Sequence, residues 1–189
     1  VMSRIVFGNE PAFAIPLIEL GSLWELPFLI LCGLVVGLAA SAMLFLYRRT
    51  RVFKDRPVLL RMLFAGVLCG TIATLLPQIQ GVGYDTVEQA MLGELGLLLL
   101  AAIVIAKILV STVSVGLGMP GGIIGPNLVI GACIGGCLGI IGGYLNPEQA
   151  SSSGFYAILC MGAMMGAVLN APLAALVAVL ELTYNPNIL

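Results

Sequence analysis

A stretch rich in glycine and proline, residues 116–127, carries the most recognisable chemistry in this sequence. Seven of its twelve residues are Gly or Pro, and apolar segments lie on both sides. A helix beginning there presents unpaired backbone N–H groups and the positive end of its dipole, which bind an anion without a cationic side chain. Glycines let an ion approach the backbone, and Pro126 fits an early helical turn. The stretch therefore favours an anion site near Ile123 and Ile124. A tight turn between packed helices is the alternative that spacing leaves open.

Two charged side chains, Lys107 and Glu181, lie within otherwise apolar segments. A charge inside a membrane is costly, so each of them is a candidate for function. For Lys107 we favour a structural role, in which the ammonium reaches an interface or pairs with a carboxylate. Glu181 is also interpreted as structural, bonded to a neighbouring helix end or a cation, and a proton relay is the alternative.

Residues suited to catalysis or metal binding are scarce. The chain contains no His, which excludes a Ser–His or Cys–His nucleophile pair within it. Asp85 follows Gly83 and Tyr84 as in some intramembrane aspartyl proteases, but no second Asp lies in an apolar segment. The five cysteines show neither metal-site nor disulfide spacing. We therefore expect no enzyme, no metal site and no resident cofactor.

The composition indicates a chain that is embedded in a lipid membrane. Of its 189 residues, 60% are hydrophobic and 9% are charged, whereas a soluble domain has roughly 25% charged residues. Six of the eight basic residues fall in one segment, 48–61, between two apolar segments. Such a segment normally stays in the cytoplasm, which orients the chain, and a patch for nucleic acid or lipid headgroups is the alternative. The class predicted is an all-α polytopic membrane protein.

Apolar segments at 26–47, 58–76 and 92–115 are each long enough to cross a bilayer, and a polar loop or short helix is predicted at 78–94. After the glycine–proline stretch, glycines recur every four residues, which predicts a helix face for close packing. This face consists of Gly131, Gly135, Gly139 and Gly143. Two short helices, 154–168 and 172–184, are typical of the broken helices of transporters.

Three stretches together resemble the CLC family of voltage-gated chloride channels and chloride/proton antiporters. Gly118 to Pro126 looks like the anion-binding G-x-F-x-P motif with its preceding glycines. Asn170-Ala171-Pro172-Leu173, followed by 179–183, is similar to the R-A-P-L and L-E-M-T pattern. Gly81-Val82-Gly83-Tyr84 resembles the family's G-x-G-Y. Lys107 falls where the family usually has Lys or Arg, and the order of the motifs matches over essentially the whole chain.

The resemblance implies an inverted-repeat fold with broken and re-entrant helices, of which residues 1–189 form the second repeat without its last helices. It implies chloride transport, as a channel or a proton-coupled antiporter, by a homodimer in the plasma (inner) membrane of a prokaryote. The anion would bind the backbone amides of Ile123 and Ile124, flanked by Gly122, Gly125 and Pro126. Ile124 departs from the family's Phe, a change that leaves the amide in place.

Two other functions remain open at this point. One is a different inverted-repeat ion transporter, although a cation site would want carboxylates near the break and residues 116–130 contain none. The other is a non-transporting membrane scaffold subunit. The partners expected are a small anion, the lipid membrane and a second copy of the chain, with no nucleic acid.

Overall fold

A computed structural model describes residues 25–145 and 151–183, which form helices joined by short turns and contain no strand. Two short 3-10 helices, Arg51–Asp55 and Pro77–Ile79, lie on either side of the second α-helix. The α-helices in chain order are α1 (Leu26–Thr50), α2 (Val58–Leu75), α3 (Tyr84–Leu92), α4 (Leu97–Gly116), α5 (Ile124–Leu145), α6 (Ser153–Leu169) and α7 (Pro172–Thr183).

Four of these helices, α1, α2, α4 and α5, are long and apolar enough to cross a membrane. At 1.5 Å per residue, the 22 residues of α5 extend about 33 Å, which matches the hydrocarbon core of a bilayer. The helices α6 and α7 are apolar but shorter. The prediction of an all-α polytopic membrane protein is confirmed.

The core of the described structure surrounds α5. This helix packs mainly against α6 and α4 and is buried along most of its length, whereas Ala65 alone among the residues of α2 is buried. At its start, α1 is tied to the start of α6, because the buried carboxylate of Glu25 accepts hydrogen bonds from the backbone N–H and the hydroxyl of Ser151 at 2.5 and 2.6 Å. The helix that follows the glycine–proline stretch is therefore central, and α2 is peripheral.

The glycine face of α5 lies directly against the backbone of α6. A Cβ atom at Gly131 would lie 2.6 Å from the Cys160 carbonyl oxygen, and one at Gly135 would overlap the Tyr156 carbonyl. At Gly139 it would lie 2.9 Å from the Cα of Ser153. The predicted packing is confirmed at these three positions. It is not found at Gly143, whose Cβ would meet no described residue within 4 Å, because α6 begins opposite Gly139 and the four-residue spacing rotates about 40° per step.

Two predicted boundaries are wrong. The third apolar segment was predicted from residue 92, but α4 begins at Leu97. Gly93, with φ of 72°, ends α3, so Glu94 lies between helices rather than inside one. The basic segment 48–61 is not a loop: α1 continues to Thr50, a 3-10 helix follows, and Arg61 lies in the first turn of α2.

The break between the last two short helices agrees with the prediction. Asn170 has φ of 53°, a left-handed conformation that ends α6, and Pro172 begins α7 two residues later. Asn tolerates this conformation better than most residues, and Pro suits the first turn of a helix. The sequence 170–172 therefore turns the chain sharply without a longer loop.

Candidate anion-binding site

The candidate site is the inter-helix break, residues 117–123, together with the first turn of α5. Gly118 has φ of 92°, and the amides of Leu117, Gly118 and Met119 donate to carbonyls in the last turns of α4. The next donor along the chain is the amide of Asn127, which bonds the carbonyl of Ile123 at 3.2 Å. Between these points, in the described residues, the backbone N–H groups of five residues donate to no backbone carbonyl. They belong to Gly121, Gly122, Ile123, Ile124 and Gly125.

These free amides are accessible although α5 itself is buried. Gly121 and Gly122 are exposed, and the side chain of Ile124 is 52% exposed. From Asn127 to Gly136 every residue of α5 is buried. The break thus combines unpaired donors, the positive end of a 22-residue helix, and exposed residues.

A second loop, Gly81 to Tyr84, packs against the first two turns of α5. Gly81 and Gly83 have φ of 62° and 82°, a conformation that favours glycine. A Cβ atom at Gly125 would lie 3.2 Å from Cγ1 of Val82, and one at Gly83 would lie 2.8 Å from Cγ2 of Val129. The loop therefore supports the helix start from behind, a role that its sequence did not reveal.

Lys107 holds this supporting loop in place. Its side chain is buried, and its Nζ donates to the carbonyl oxygens of Ile79 at 2.8 Å and Gly81 at 3.1 Å. No carboxylate contacts it within residues 25–145 and 151–183. The ammonium bonds backbone carbonyls at and just beyond the end of a 3-10 helix, and the expected pairing with an acid is not found among the described residues.

Glu181 is not brought to the site. It lies exposed on α7, a helix that packs against α6. In the part of the chain that the structure describes, its carboxylate makes no hydrogen bond or ion pair, so the predicted bond to a helix end or cation is not formed there. Of the charged candidates, Lys107 alone lies behind the helix start.

Asn127, which sequence reasoning did not single out, lies in the first turn of α5. It is fully buried, and neither atom of its side-chain amide has a hydrogen-bond partner among the described residues. Buried polar groups are usually paired, so this residue is exceptional. The sequence feature that could have pointed to Asn127 is a polar amide side chain directly after Pro126, at the start of an otherwise apolar helix.

The family is decided by comparison with known sequences. The profile of the family described as voltage gated chloride channel matches residues 1–189, the whole chain. The chain belongs to the CLC family. The resemblance drawn from three short motifs is therefore confirmed, and the break before α5 coincides with the CLC motif that carried it.

Individual CLC relatives are moderately similar. The chain is 33% identical to the H(+)/Cl(-) exchange transporter ClcA of Salmonella agona and to that of Salmonella gallinarum, and 32% identical to that of Salmonella paratyphi B. Each alignment covers 98% of this chain and 41% of the relative. The chain thus spans about two fifths of the length of these CLC relatives.

Proposed function

We propose that the protein to which this chain belongs transports chloride or a similar small anion across a membrane. In this proposal the amides of Ile123 and Ile124 bind the ion at the start of α5. Gly122 and Gly125 allow it to approach the backbone, and Pro126 occupies a first-turn position that needs no N–H. The observation that carries the proposal is the run of unpaired, accessible amides at the N-terminus of a buried helix.

Backbone donors suit transport better than a cationic side chain would. The N-terminus of a helix carries roughly half an elementary positive charge, spread over several N–H groups. An ion bound there is attracted, yet it can leave, which conduction requires. The absence of acidic residues from 116–130 favours an anion over a cation. The exposed side chain of Ile124 would line the path in place of the family's Phe.

The setting proposed follows that of the family. The protein is an integral membrane homodimer in a prokaryotic plasma (inner) membrane, with residues 48–61 on the cytoplasmic side and no resident cofactor. It is not an enzyme, and its cargo is chloride, with protons in addition if it is an antiporter. The relatives at 32–33% identity are named as proton/chloride exchange transporters. Their names support proton-coupled exchange as one of the two modes proposed, the other being a channel.

The decisive experiment measures chloride efflux from liposomes that contain the full-length parent protein. Ile124→Pro removes the proposed donor N–H at a helix position that accepts Pro, and Ile124→Phe changes the side chain while keeping the amide. We expect efflux from wild type and from Ile124→Phe, and at least a tenfold loss in Ile124→Pro. Size-exclusion profiles of all three proteins control for folding and assembly.

Each alternative has its own outcome in this assay. If correctly assembled Ile124→Pro moves chloride as fast as wild type, the amide site is wrong. If wild type moves no anion, a scaffold subunit or a transporter of another ion is the better interpretation. Proton uptake that accompanies chloride efflux would identify an antiporter, and efflux without it would identify a channel.

A further inference from the structure

A groove opens between α2 and α4 at the basic end of the structure. It encloses about 650 Å³. Two arginines, Arg56 and Arg61, lie on it, and the rest of its wall is mainly apolar. The apolar side chains that matter here are Leu60 and Phe64 from α2, Val113 from α4 and Leu117 directly after α4. The groove borders the first residue of the break, Leu117, but none of the five residues with unpaired amides, Gly121 to Gly125, lines it.

The positive charge at this groove is not neutralised by the described structure. Every residue from 51 to 60 is exposed, and Asp55 is the one acid in the basic segment 48–61. Within the described residues, Arg56 and Arg61 form no ion pair with a carboxylate. Several cations therefore face the surface together, and such a surface attracts an anionic partner.

Arg61 is already oriented by the protein. Its Nη1 donates to the carbonyl oxygen of Leu117 at 2.9 Å, while its buried Nε has no partner among the described residues. One side of the guanidinium is thus held by the protein. Its remaining N–H groups form no hydrogen bond among the described residues. A planar guanidinium with free N–H groups fits a phosphate well, since it can donate two parallel hydrogen bonds.

The place of the groove along the chain suits a lipid. The basic segment connects α1 and α2, which are both long and apolar enough to cross a membrane, and a segment between two crossing helices lies at the membrane surface. From there the wall continues along α2, where Leu60 is 58% and Phe64 61% exposed. A free phosphate ion would bury none of this apolar wall, whereas an acyl chain would cover it and remove it from water.

We propose that this groove binds one anionic phospholipid per subunit. Its phosphate is held by Arg56 and Arg61, and an acyl chain lies along Leu60, Phe64, Val113 and Leu117. Positive charge selects an anionic lipid over a zwitterionic one, and the apolar wall selects a lipid over a soluble phosphate. The inference does not depend on whether the protein transports chloride.

The test is native mass spectrometry of the full-length parent protein in non-ionic detergent, with phosphatidylglycerol or phosphatidylcholine of identical acyl chains added. We expect one phosphatidylglycerol per subunit at concentrations where phosphatidylcholine does not bind. The double variant Arg56→Gln/Arg61→Gln is expected to bind it at least tenfold more weakly. The matched control is Arg48→Gln/Arg51→Gln, which also removes two exposed charges but leaves the groove intact, and it should bind like wild type.

A second variant keeps the proposal testable if the arginine variant does not assemble. Leu60→Trp retains both arginines and fills part of the groove, so we expect weaker phosphatidylglycerol binding from a folded dimer. Three outcomes would overturn the proposal: equal binding of the two lipids to wild type, equal losses in the groove and control double variants, or displacement of the lipid by millimolar glycerol 3-phosphate. The last outcome would identify a site for the phosphate group alone.

Discussion

At the scale of single residues, Lys107 is a buried charge that supports the start of α5, where the anion site is proposed, from behind. Its ammonium bonds the carbonyls of Ile79 and Gly81, which lie at the start of the loop behind α5. That loop packs on Gly125 and Val129. The charge therefore fixes the backbone that supports the helix start, so we regard Lys107 as a positioning residue.

We predict that Lys107→Met destabilises the full-length parent protein by about 1–3 kcal/mol, because the buried carbonyl of Ile79 loses its donor. The midpoint of thermal unfolding in detergent should fall, and chloride efflux should fall with it as the supporting loop loosens. Lys107→Arg, which can donate to both carbonyls, should recover part of both losses. Glu181→Gln is the control, since this exposed carboxylate has no partner in the described structure, and it should leave both measurements unchanged. A stable, fully active Lys107→Met protein would rule out the positioning role.

At the scale of elements, the contact between α5 and α6 depends on glycine. Three glycines allow the α6 backbone to lie where side chains would otherwise stand, and a contact this close brings the middle of α5 into the core. Because the middle of α5 is buried while its first residue is exposed, the amides of the break are accessible. The packing of the helix and the exposure of its N-terminus are thus linked.

We predict opposite results for two substitutions on this one helix. Gly135→Ala places a methyl group on the Tyr156 carbonyl, so α5 and α6 must separate, at a cost of about 3 kcal/mol. Gly143→Ala meets no described residue within 4 Å and gains helix propensity, so it should be neutral or slightly stabilising. Unfolding of the two full-length variants in detergent measures the difference. Equal midpoints would show that α5 and α6 do not make this contact in the assembled protein.

Sequence patterns predicted most of the helices but not which residues they contact. The long apolar segments, the break and the short final helices all follow from composition, glycine and proline. Gly143 was misassigned because its contact depends on where α6 begins, which no pattern within α5 encodes. Likewise, the carbonyl partners of Lys107 lie 26 and 28 residues away in sequence, and backbone acceptors carry no residue signature. The amides of the proposed site were predictable because glycine and proline mark them.

At the scale of the whole molecule, the described helices leave a large apolar surface uncovered. Most residues of α2 are exposed, and Ile30, Leu34 and Leu38 on α1 are each more than 60% exposed. The relatives are more than twice as long as this chain. Lipid and the remainder of a longer protein are the natural partners of such surfaces. The start of a single helix also supplies donors to one side of an ion only, and the other side needs groups from elsewhere.

We therefore predict that residues 1–189 alone, reconstituted in liposomes, release no chloride above the background of empty vesicles, whereas the full-length parent does. The physical reason is that the amides near Ile124 can attract an anion but do not by themselves enclose a path across the bilayer. Insertion must be shown independently, by protection of the apolar helices from added protease, so that a missing signal does not reflect a missing protein. Chloride release by the inserted chain that Ile124→Pro abolishes would contradict this prediction. It would mean that residues 1–189, through a pathway within one copy or between copies, conduct on their own.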